Sequence, residues 1–162
     1  MIRAAQLHDL ESITEIYNQA IDQKFQTAFT DRVTVADRLP WFHEHTGRYP
    51  IFVYEAEGEV LGWISIGSYR SGRAALRFTA EVSYFVRQAH TGKGIGSALL
   101  EHALTACREL NFKTLLAIIL DRNIPSIKLM EKFGFELWGS MPGVADFDGV
   151  VCGHVYYGRS LL

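Results

Sequence analysis

The chain lacks the features that would place it in a membrane or outside the cell. Its 162 residues include no apolar run long enough to span a bilayer. The N-terminus soon reaches Asp9 and Glu11, so it has no apolar signal-peptide core. The two cysteines, Cys107 and Cys152, fall in predicted apolar elements, which indicates buried thiols and not a disulfide. We therefore expect a cytoplasmic protein without membrane contact.

An excess of positive charge and the spacing typical of metal ligands are also missing. The formal net charge is −2 at pH 7, which argues against a nucleic-acid-binding surface. The six histidines are scattered, and His43 and His45 point in different directions from one predicted helix. We expect no metal and no nucleic-acid partner. Because no linker, repeat or shift in composition divides the chain, residues 1–162 are predicted to form one domain.

The most informative segment that is present is a glycine-rich turn between a predicted strand and a predicted helix. The strand ends near Val86, three glycines follow at alternate positions 92, 94 and 96, and an apolar helical stripe begins at Ile95. Bare backbone N–H groups at a helix N-terminus bind a pyrophosphate through their amides and the positive end of the helix dipole. This segment therefore predicts a phosphate-binding loop.

Spacing separates this turn from two other phosphate loops. A P-loop needs glycine where Arg87 stands, and here Gly94 follows Lys93 where Ser or Thr is required. The dinucleotide fingerprint that would start at Gly92 meets Ser97 at its third glycine and lies mid-chain. A turn without a ligand is the remaining alternative, but each glycine costs entropy that a purely structural turn need not bear.

Hydrophobic periodicity predicts an α/β chain with a mixed sheet. Helices are predicted over residues 10–23, from an N-cap at Thr34 to His45 with Pro40 as an interruption, after the glycines, and over residues 126–133. Strands are predicted over residues 2–4, 51–55, 60–68, 78–86, 114–120, 135–140 and 150–160. The expected architecture is about seven strands flanked by about four helices.

The glycine turn resembles the acetyl-CoA loop of the GNAT superfamily of N-acetyltransferases, with Thr91 in place of the usual Arg or Gln. Further blocks resemble its phosphinothricin and methionine sulfoximine N-acetyltransferase branch. These blocks are Trp41-Phe42, His45, Tyr49-Pro50, Gly62-Trp63-Ile64-Ser65, Tyr69-Arg70, Thr79-Ala80-Glu81, Ser83, Asn123, Ser126 and Gly134-Phe135. The resemblance implies a single-domain GNAT fold, acetyl-CoA as the donor, a sheet splayed between strands four and five, and a homodimer.

The same resemblance implies which residues contact the cofactor. Asn123 matches an asparagine that contacts the cofactor arm, although an N-cap before Pro125 is an equal alternative. The predicted cofactor-binding residues are Tyr84, Phe85, Val86, Thr91, Gly92, Lys93, Gly94, Ile95, Gly96, Ser97 and Asn123.

Acetyl transfer from a thioester requires a neutral amine, so an ammonium substrate needs a group that takes its proton. Glu81 suits this role because it lies inside an apolar strand just before the glycine turn. The alternative is a solvent-facing carboxylate paired with a nearby arginine. Met130 stands where the family has Tyr or His, so the departing thiolate is protonated by another group, with Tyr156 and Tyr157 as candidates, or leaves unaided.

The acceptor is the least constrained part of the prediction. Arg70 and Arg77 precede the fourth strand, and guanidinium groups hold carboxylates or phosphinates by paired hydrogen bonds; a solvated loop is the alternative. With Phe29 and Phe78 they form the predicted substrate-binding set. We therefore predict acetyl-CoA-dependent acetylation of the amino group of a small amino acid, or of an analogue such as methionine sulfoximine, methionine sulfone or phosphinothricin. A protein N-terminal or polyamine acetyltransferase and a degenerate acyl-CoA-binding sensor are the alternatives.

Overall fold

The computed structural model describes all 162 residues as one seven-stranded mixed sheet with helices on both faces. The strand order is β1-β2-β3-β4-β5-β7-β6. The strands are β1 Ile2–Ala4, β2 Ile51–Ala56, β3 Glu59–Ser68, β4 Thr79–Val86, β5 Thr114–Leu120, β6 Glu136–Phe147 and β7 Val150–Ser160. The helices are α1 Leu10–Gln23, α2 Val35–Glu44, α3 Ile95–Glu109 and α4 Ile124–Lys132. The predicted fold class is confirmed.

Alternation along the strands supplies the two halves of the core. On β3, Trp63 belongs to the cluster that packs against α1, whereas Ile64 and Ile66 belong to the larger cluster under α3. Trp63 also donates a hydrogen bond from Nε1 to the backbone oxygen of Ile13, at 3.1 Å. Because neighbouring strand residues face opposite sides of the sheet, one strand holds α1 and α3 on opposite faces.

The sheet opens between β4 and β5. These strands pair in parallel only from Thr79 to Glu81 on β4 and from Thr114 to Leu116 on β5. Beyond those residues both strands continue without pairing to each other, and each keeps its other neighbour. The predicted splay is thus confirmed, and it lies directly before the glycine turn.

Some boundaries differ from prediction at glycine and proline positions. Strand β6 is twice as long as residues 135–140 suggested, because Pro142 and Gly143 lie within an irregular register between Met141 and Ala145 on an edge strand. Helix α2 continues through Pro40, with the Thr34 side chain accepting a capping hydrogen bond from Asp37 N–H.

Two further findings concern the helices and the thiols. None of the helices combines the length and the apolarity that a membrane crossing requires. Cys107 and Cys152 are both free and buried.

Candidate active site

The opening between β4 and β5 leads into a cavity of about 440 Å³, here called the wedge cavity. This volume is in the usual range for a ligand site. Its walls are residues 82–86 of β4, residues 117–119 of β5, the glycine turn and the start of α4. All predicted cofactor residues line it except Lys93, namely Tyr84, Phe85, Val86, Thr91, Gly92, Gly94, Ile95, Gly96, Ser97 and Asn123.

The glycine turn presents a row of backbone amides to this cavity. Gly92 and Gly94 have φ angles of 75° and 83°, and Gly94 is the N-cap of α3. The first hydrogen bond of the helix joins Ala98 N–H to Gly94 O at 3.0 Å, so the amides from Gly92 to Ser97 have no intrahelical acceptor. Free amides at the positive end of a helix suit a pyrophosphate.

Amides of β4 also face the opening. Arg87 N–H donates to Leu61 O on the β3 side, at 2.7 Å. Because backbone groups alternate along an antiparallel strand, the N–H groups of Val86 and Tyr84 point toward β5, where no pairing occurs. They can bind an extended ligand arm or the oxygen of a thioester.

Tyr84 connects the three elements around the wedge cavity. A Cβ atom on Gly96 would come within 3.0 Å of the Tyr84 ring, so glycine permits close packing of α3 on β4. Ser126 Oγ donates to the Tyr84 hydroxyl at 2.9 Å, and burial raises the pKa of that hydroxyl. Asn123 accepts from Ser126 N–H as the N-cap of α4 while also lining the cavity, so both interpretations of this residue are compatible.

A second cavity, of about 240 Å³ and here called the side cavity, adjoins the first. The two share Gln26, Ser83, Phe85 and Ile118. The other residues that line the side cavity are Tyr17, Thr27, Ala28, Arg38, Trp41, Trp63, Ser65, Glu81, Leu120 and His154. A molecule in the side cavity is therefore next to one lying between β4 and β5.

Glu81 is the carboxylate of the side cavity. It lies on β4 opposite Gly67 of β3 and Leu116 of β5, at the last paired position before the strands separate. Burial raises its pKa, with no arginine or lysine as a compensating partner. The structure thus differs from the alternative of an arginine-paired surface residue. A carboxylate with a raised pKa is suited to accept a proton near neutral pH.

Several residues predicted to bind the acceptor are not brought to these cavities. Arg70, Arg77 and Phe78 line neither one. The Arg77 guanidinium donates to Ala74 O at 2.8 Å and lies 4.4 Å from the centre of the Phe78 ring. Phe29 is half exposed, lines neither cavity and packs edge-on against Tyr17. The roles of these four residues stay predictions.

The candidate thiolate donors also lie elsewhere. Tyr157 donates to the Glu131 carboxylate at 3.1 Å, and Tyr156 faces a different cavity, formed with β6. Met130 does line the wedge cavity and is almost fully buried. The phenolic hydroxyl available in the wedge cavity is that of Tyr84.

Sequence reasoning missed Arg38, the buried cation of the side cavity. A signal was present, because Arg38 and Trp41 are three residues apart and therefore share one face of α2. The structure stacks the guanidinium of Arg38 over Trp41 and hydrogen-bonds His45 Nδ1 to Trp41 O at 2.8 Å. Gln26 and His154 also line the side cavity, from a loop and from β7; the segment from Phe25 to Phe29 resembles the family's substrate-side loop, and His154 is the alternative base.

A splayed parallel strand pair, free amides at a helix N-terminus and an adjoining cavity with a partly buried carboxylate together define an acyltransferase that uses acyl-CoA. The chain belongs to the acetyltransferase (GNAT) family, whose family model matches residues 10–135. No group of three or more His, Cys, Asp and Glu side chains is arranged to hold a metal ion.

Relatives extend over nearly the whole chain. The Bacillus subtilis protein YwnH is 45% identical over 149 residues, which cover 91% of each chain. An L-methionine sulfoximine/L-methionine sulfone acetyltransferase of Salmonella typhimurium is 37% identical over 147 residues, 88% of this chain and 84% of its own. The crystal structure of a phosphinothricin acetyltransferase from Sinorhizobium meliloti in complex with acetyl-CoA has a TM-score of 0.93 and 33% identity, covering 99% of this chain and 87% of that one.

Proposed function

We propose that the chain, as one domain over residues 1–162, transfers the acetyl group of acetyl-CoA to the amino group of a small α-amino acid or an analogue. The observation that carries this proposal is Glu81, a partly buried carboxylate without a cationic partner in the side cavity, next to the amide-lined wedge cavity. The acceptor class is supported by the relatives named for methionine sulfoximine, methionine sulfone and phosphinothricin.

The residues of the wedge cavity fit acetyl-CoA. The amides from Gly92 to Ser97 bind its pyrophosphate, and the β4 amides of Tyr84 and Val86 bind its thioester end. Glu81 takes the proton of the acceptor ammonium, and the freed amine attacks the thioester carbon. The new C–N bond forms as the C–S bond breaks and the CoA thiolate leaves. The nitrogen then loses its second excess proton to become a neutral amide, and the thiolate takes up one proton to become the thiol.

Two alternatives from the sequence make different demands on the cavities. A protein N-terminal or polyamine acetyltransferase needs an open or acidic acceptor groove, whereas the side cavity is small and contains a buried arginine. A binding sensor without turnover is favoured by Thr91, whose hydroxyl is occupied by Gln88 O at 3.1 Å, and by the absence of an acid at Met130.

A screen of purified protein separates these functions. Free amino acids, methionine sulfone, methionine sulfoximine, phosphinothricin, spermidine and an N-terminal peptide are incubated with acetyl-CoA, and thiol release is followed together with the mass of the product. We expect release with the amino acids or their analogues. Turnover confined to the peptide or spermidine contradicts the proposal, and tight CoA binding without turnover of any amine identifies a sensor.

We also propose a homodimer. Apolar side chains are exposed on the outer hairpin formed by β6 and β7, where a second copy would cover them. They are Leu137, Trp138, Met141, Val144, Val150 and Val151. Light scattering of the purified protein, with Val151→Asp as the disrupting variant, tests this; a monomeric mass for the unmodified chain contradicts it. The cytoplasmic location stays a prediction, for which cell fractionation is the test.

A further inference from the structure

Arg38 carries a buried charge that nothing in the protein neutralises. The residue is 8% exposed, its Nε atom has no hydrogen-bond partner, and its guanidinium forms no ion pair. Its only close interactions are with aromatic faces: the guanidinium carbon lies 3.8 Å from the centre of the Trp41 ring and 4.3 Å from that of Tyr17.

The other partly buried arginines behave differently. Arg3 is held by Asp9 at 2.8 Å and by Glu55 at 2.7 Å. Arg87 is held by Glu59 at 3.2 Å and donates to Val60 O. Buried charges in proteins are normally paired, because desolvation without a partner is costly. Arg48 and Arg159 are also partly buried and form no ion pair, but each donates to a backbone oxygen, of Leu110 and of Phe133. Arg38 is therefore the exception within this chain, because it is the one buried arginine and has no hydrogen-bond acceptor.

Aromatic stacking explains how Arg38 is held but leaves its N–H groups unused. Cation–π contacts act on the face of the guanidinium, whereas the N–H donors lie in its plane. A planar group with two acceptor oxygens is the partner that such a fork binds best. The side cavity, which Arg38 lines, is where that partner would lie.

A second unpaired charge in the same cavity restricts the kind of ligand that fits there. Glu81 lines the side cavity as well, and it forms no ion pair with Arg38. His154 is the only other charged or histidine side chain in the lining. The cavity therefore presents one unpaired cation and one unpaired carboxylate, which complement the carboxylate and ammonium of an amino-acid zwitterion.

We propose that Arg38 binds the α-carboxylate of the acceptor, so that the side cavity selects free α-amino acids over other amines. This inference rests on the proposed function and deepens it. Peptide N-termini and polyamines have no carboxylate on the carbon that bears the amine, and they leave Arg38 unpaired in its cavity. Selection then comes from a buried donor that the wrong acceptor cannot satisfy.

The test compares three acceptors that share a side chain. They are methionine sulfone, its α-carboxamide, and 3-(methylsulfonyl)propylamine, which lacks the carboxyl group altogether. For the unmodified protein we expect kcat/KM to be lower by about 10² for the amide and for the amine, the value of one strong charged contact. The amine keeps the sulfone oxygens, so it separates recognition of the α-carboxylate from recognition of the side chain.

Variants of Arg38 test whether this residue is the one that binds the α-carboxylate. Arg38→Gln is expected to lower kcat/KM for methionine sulfone by about 10². The kcat/KM for 3-(methylsulfonyl)propylamine and the Kd of acetyl-CoA should stay nearly unchanged. Arg38→Lys, which keeps the charge but not the fork, is expected to retain part of the discrimination. Arg32→Gln is the matched control, because Arg32 is exposed and pairs with Glu15 at 3.0 Å on the surface.

The outcomes distinguish this inference from the proposed function. Acetylation of all three acceptors with similar kcat/KM overturns the role of Arg38 and leaves the amine acetyltransferase standing. So does an equal loss for all three in Arg38→Gln, or loss of discrimination in Arg70→Ala or Arg77→Ala instead. Failure of the unmodified protein to acetylate any of them overturns both. Because the acceptor series needs no variant, the test holds even if Arg38→Gln does not fold.

Discussion

The two adjoining cavities recognise their ligands by different means. The wedge cavity offers backbone amides, which come from one turn and one strand within residues 82–97. The side cavity offers side chains, and its lining comes from α1, the loop after it, α2, β3, β4, β5 and β7. Backbone recognition depends on conformation and tolerates many side chains, whereas side-chain recognition depends on a few charges without partners. The two halves should therefore fail separately when they are mutated.

The largest expected effect separates chemistry from cofactor binding. Glu81→Gln keeps the shape of the side chain and removes its basic site, so kcat should fall by roughly 10² to 10⁴ while the Kd of acetyl-CoA stays near that of the unmodified protein. The acidic limb of the kcat/KM profile should also move or vanish, because that limb reports the protonation of the essential base, and burial raises the pKa of this carboxyl. Steady-state kinetics across pH and calorimetry measure the two effects.

Glu101→Gln is the control for this variant, because Glu101 is exposed on α3. A Glu81→Gln enzyme with a normal kcat and an unaltered pH profile would make Glu81 an orienting residue. The base would then be His154, which lines the same cavity, or bulk water.

The opposite result is expected for the glycine turn, where a substitution should weaken the binding of acetyl-CoA. Gly94→Val places a branched side chain beside the free amides, and acetyl-CoA affinity should fall by about tenfold or more. Valine is strained at a φ of 83°, so a matched control is needed. Gly58→Val provides it, because Gly58 has a φ of 76° in the β2–β3 turn and, like Gly94, has nothing within 4 Å of a built Cβ.

Calorimetry measures the affinity of each glycine variant for acetyl-CoA, and the two affinities are compared together with the thermal stability that each variant has lost. We expect Gly58→Val to lose stability without losing affinity. If both variants keep their affinity, the turn does not hold the pyrophosphate.

The same contrast explains what the sequence could predict. The glycine turn and the strand before it are close in sequence, and their spacing specifies a loop before a helix dipole. The splay of β4 from β5 was inferred only by resemblance, since strand periodicity carries no information on where pairing stops. Hydrophobic alternation predicted β7 at its observed bounds, Val150–Ser160. It did not predict that β6 continues past Pro142 and Gly143.

The acceptor side was harder because its residues meet only in the folded chain. Arg70 and Arg77 were predicted because they lie in the connection before the fourth strand, but neither lines the side cavity. Arg38 lies more than 40 residues from Glu81 in the sequence and reaches the same cavity because α2 packs on α1. Because most arginines in proteins are exposed, the sequence alone indicates a surface residue for a lone arginine on a short helix.

Charges that form ion pairs and charges that do not should also differ in how they affect the free energy of unfolding. Asp9 is buried and accepts from both terminal nitrogens of Arg3, at 2.8 and 2.9 Å, and from Gln6 N–H at 2.7 Å. Desolvation favours its neutral form, but the Arg3 and Gln6 hydrogen bonds outweigh it and lower the pKa. Asp9→Asn should therefore cost about 1.5–3 kcal/mol of unfolding free energy at neutral pH, measured by urea denaturation. No loss would show that this pair is not structural.

The smallest expected effect has the opposite sign and belongs to the side cavity. Because burial raises the pKa of Glu81, the folded state binds its proton more tightly than the unfolded chain does. That contribution is fully present below the ordinary glutamate pKa and is lost as pH rises through the raised value. Glu81→Gln removes this loss, so without ligands its Tm should equal or slightly exceed that of the unmodified protein at pH 8, and the advantage should shrink toward pH 4.5. Asp9→Asn should show the reverse, because the pKa of Asp9 is lowered: its deficit should be fully present above the ordinary aspartate pKa and shrink only as pH falls below that value. Thermal unfolding of Glu81→Gln between pH 4.5 and 8, and of Asp9→Asn from neutral pH down to about pH 2, measures the two trends. A Glu81→Gln deficit that grows with pH would mean that Glu81 stabilises the fold in its charged form, which would remove the distinction between paired structural charges and unpaired functional ones.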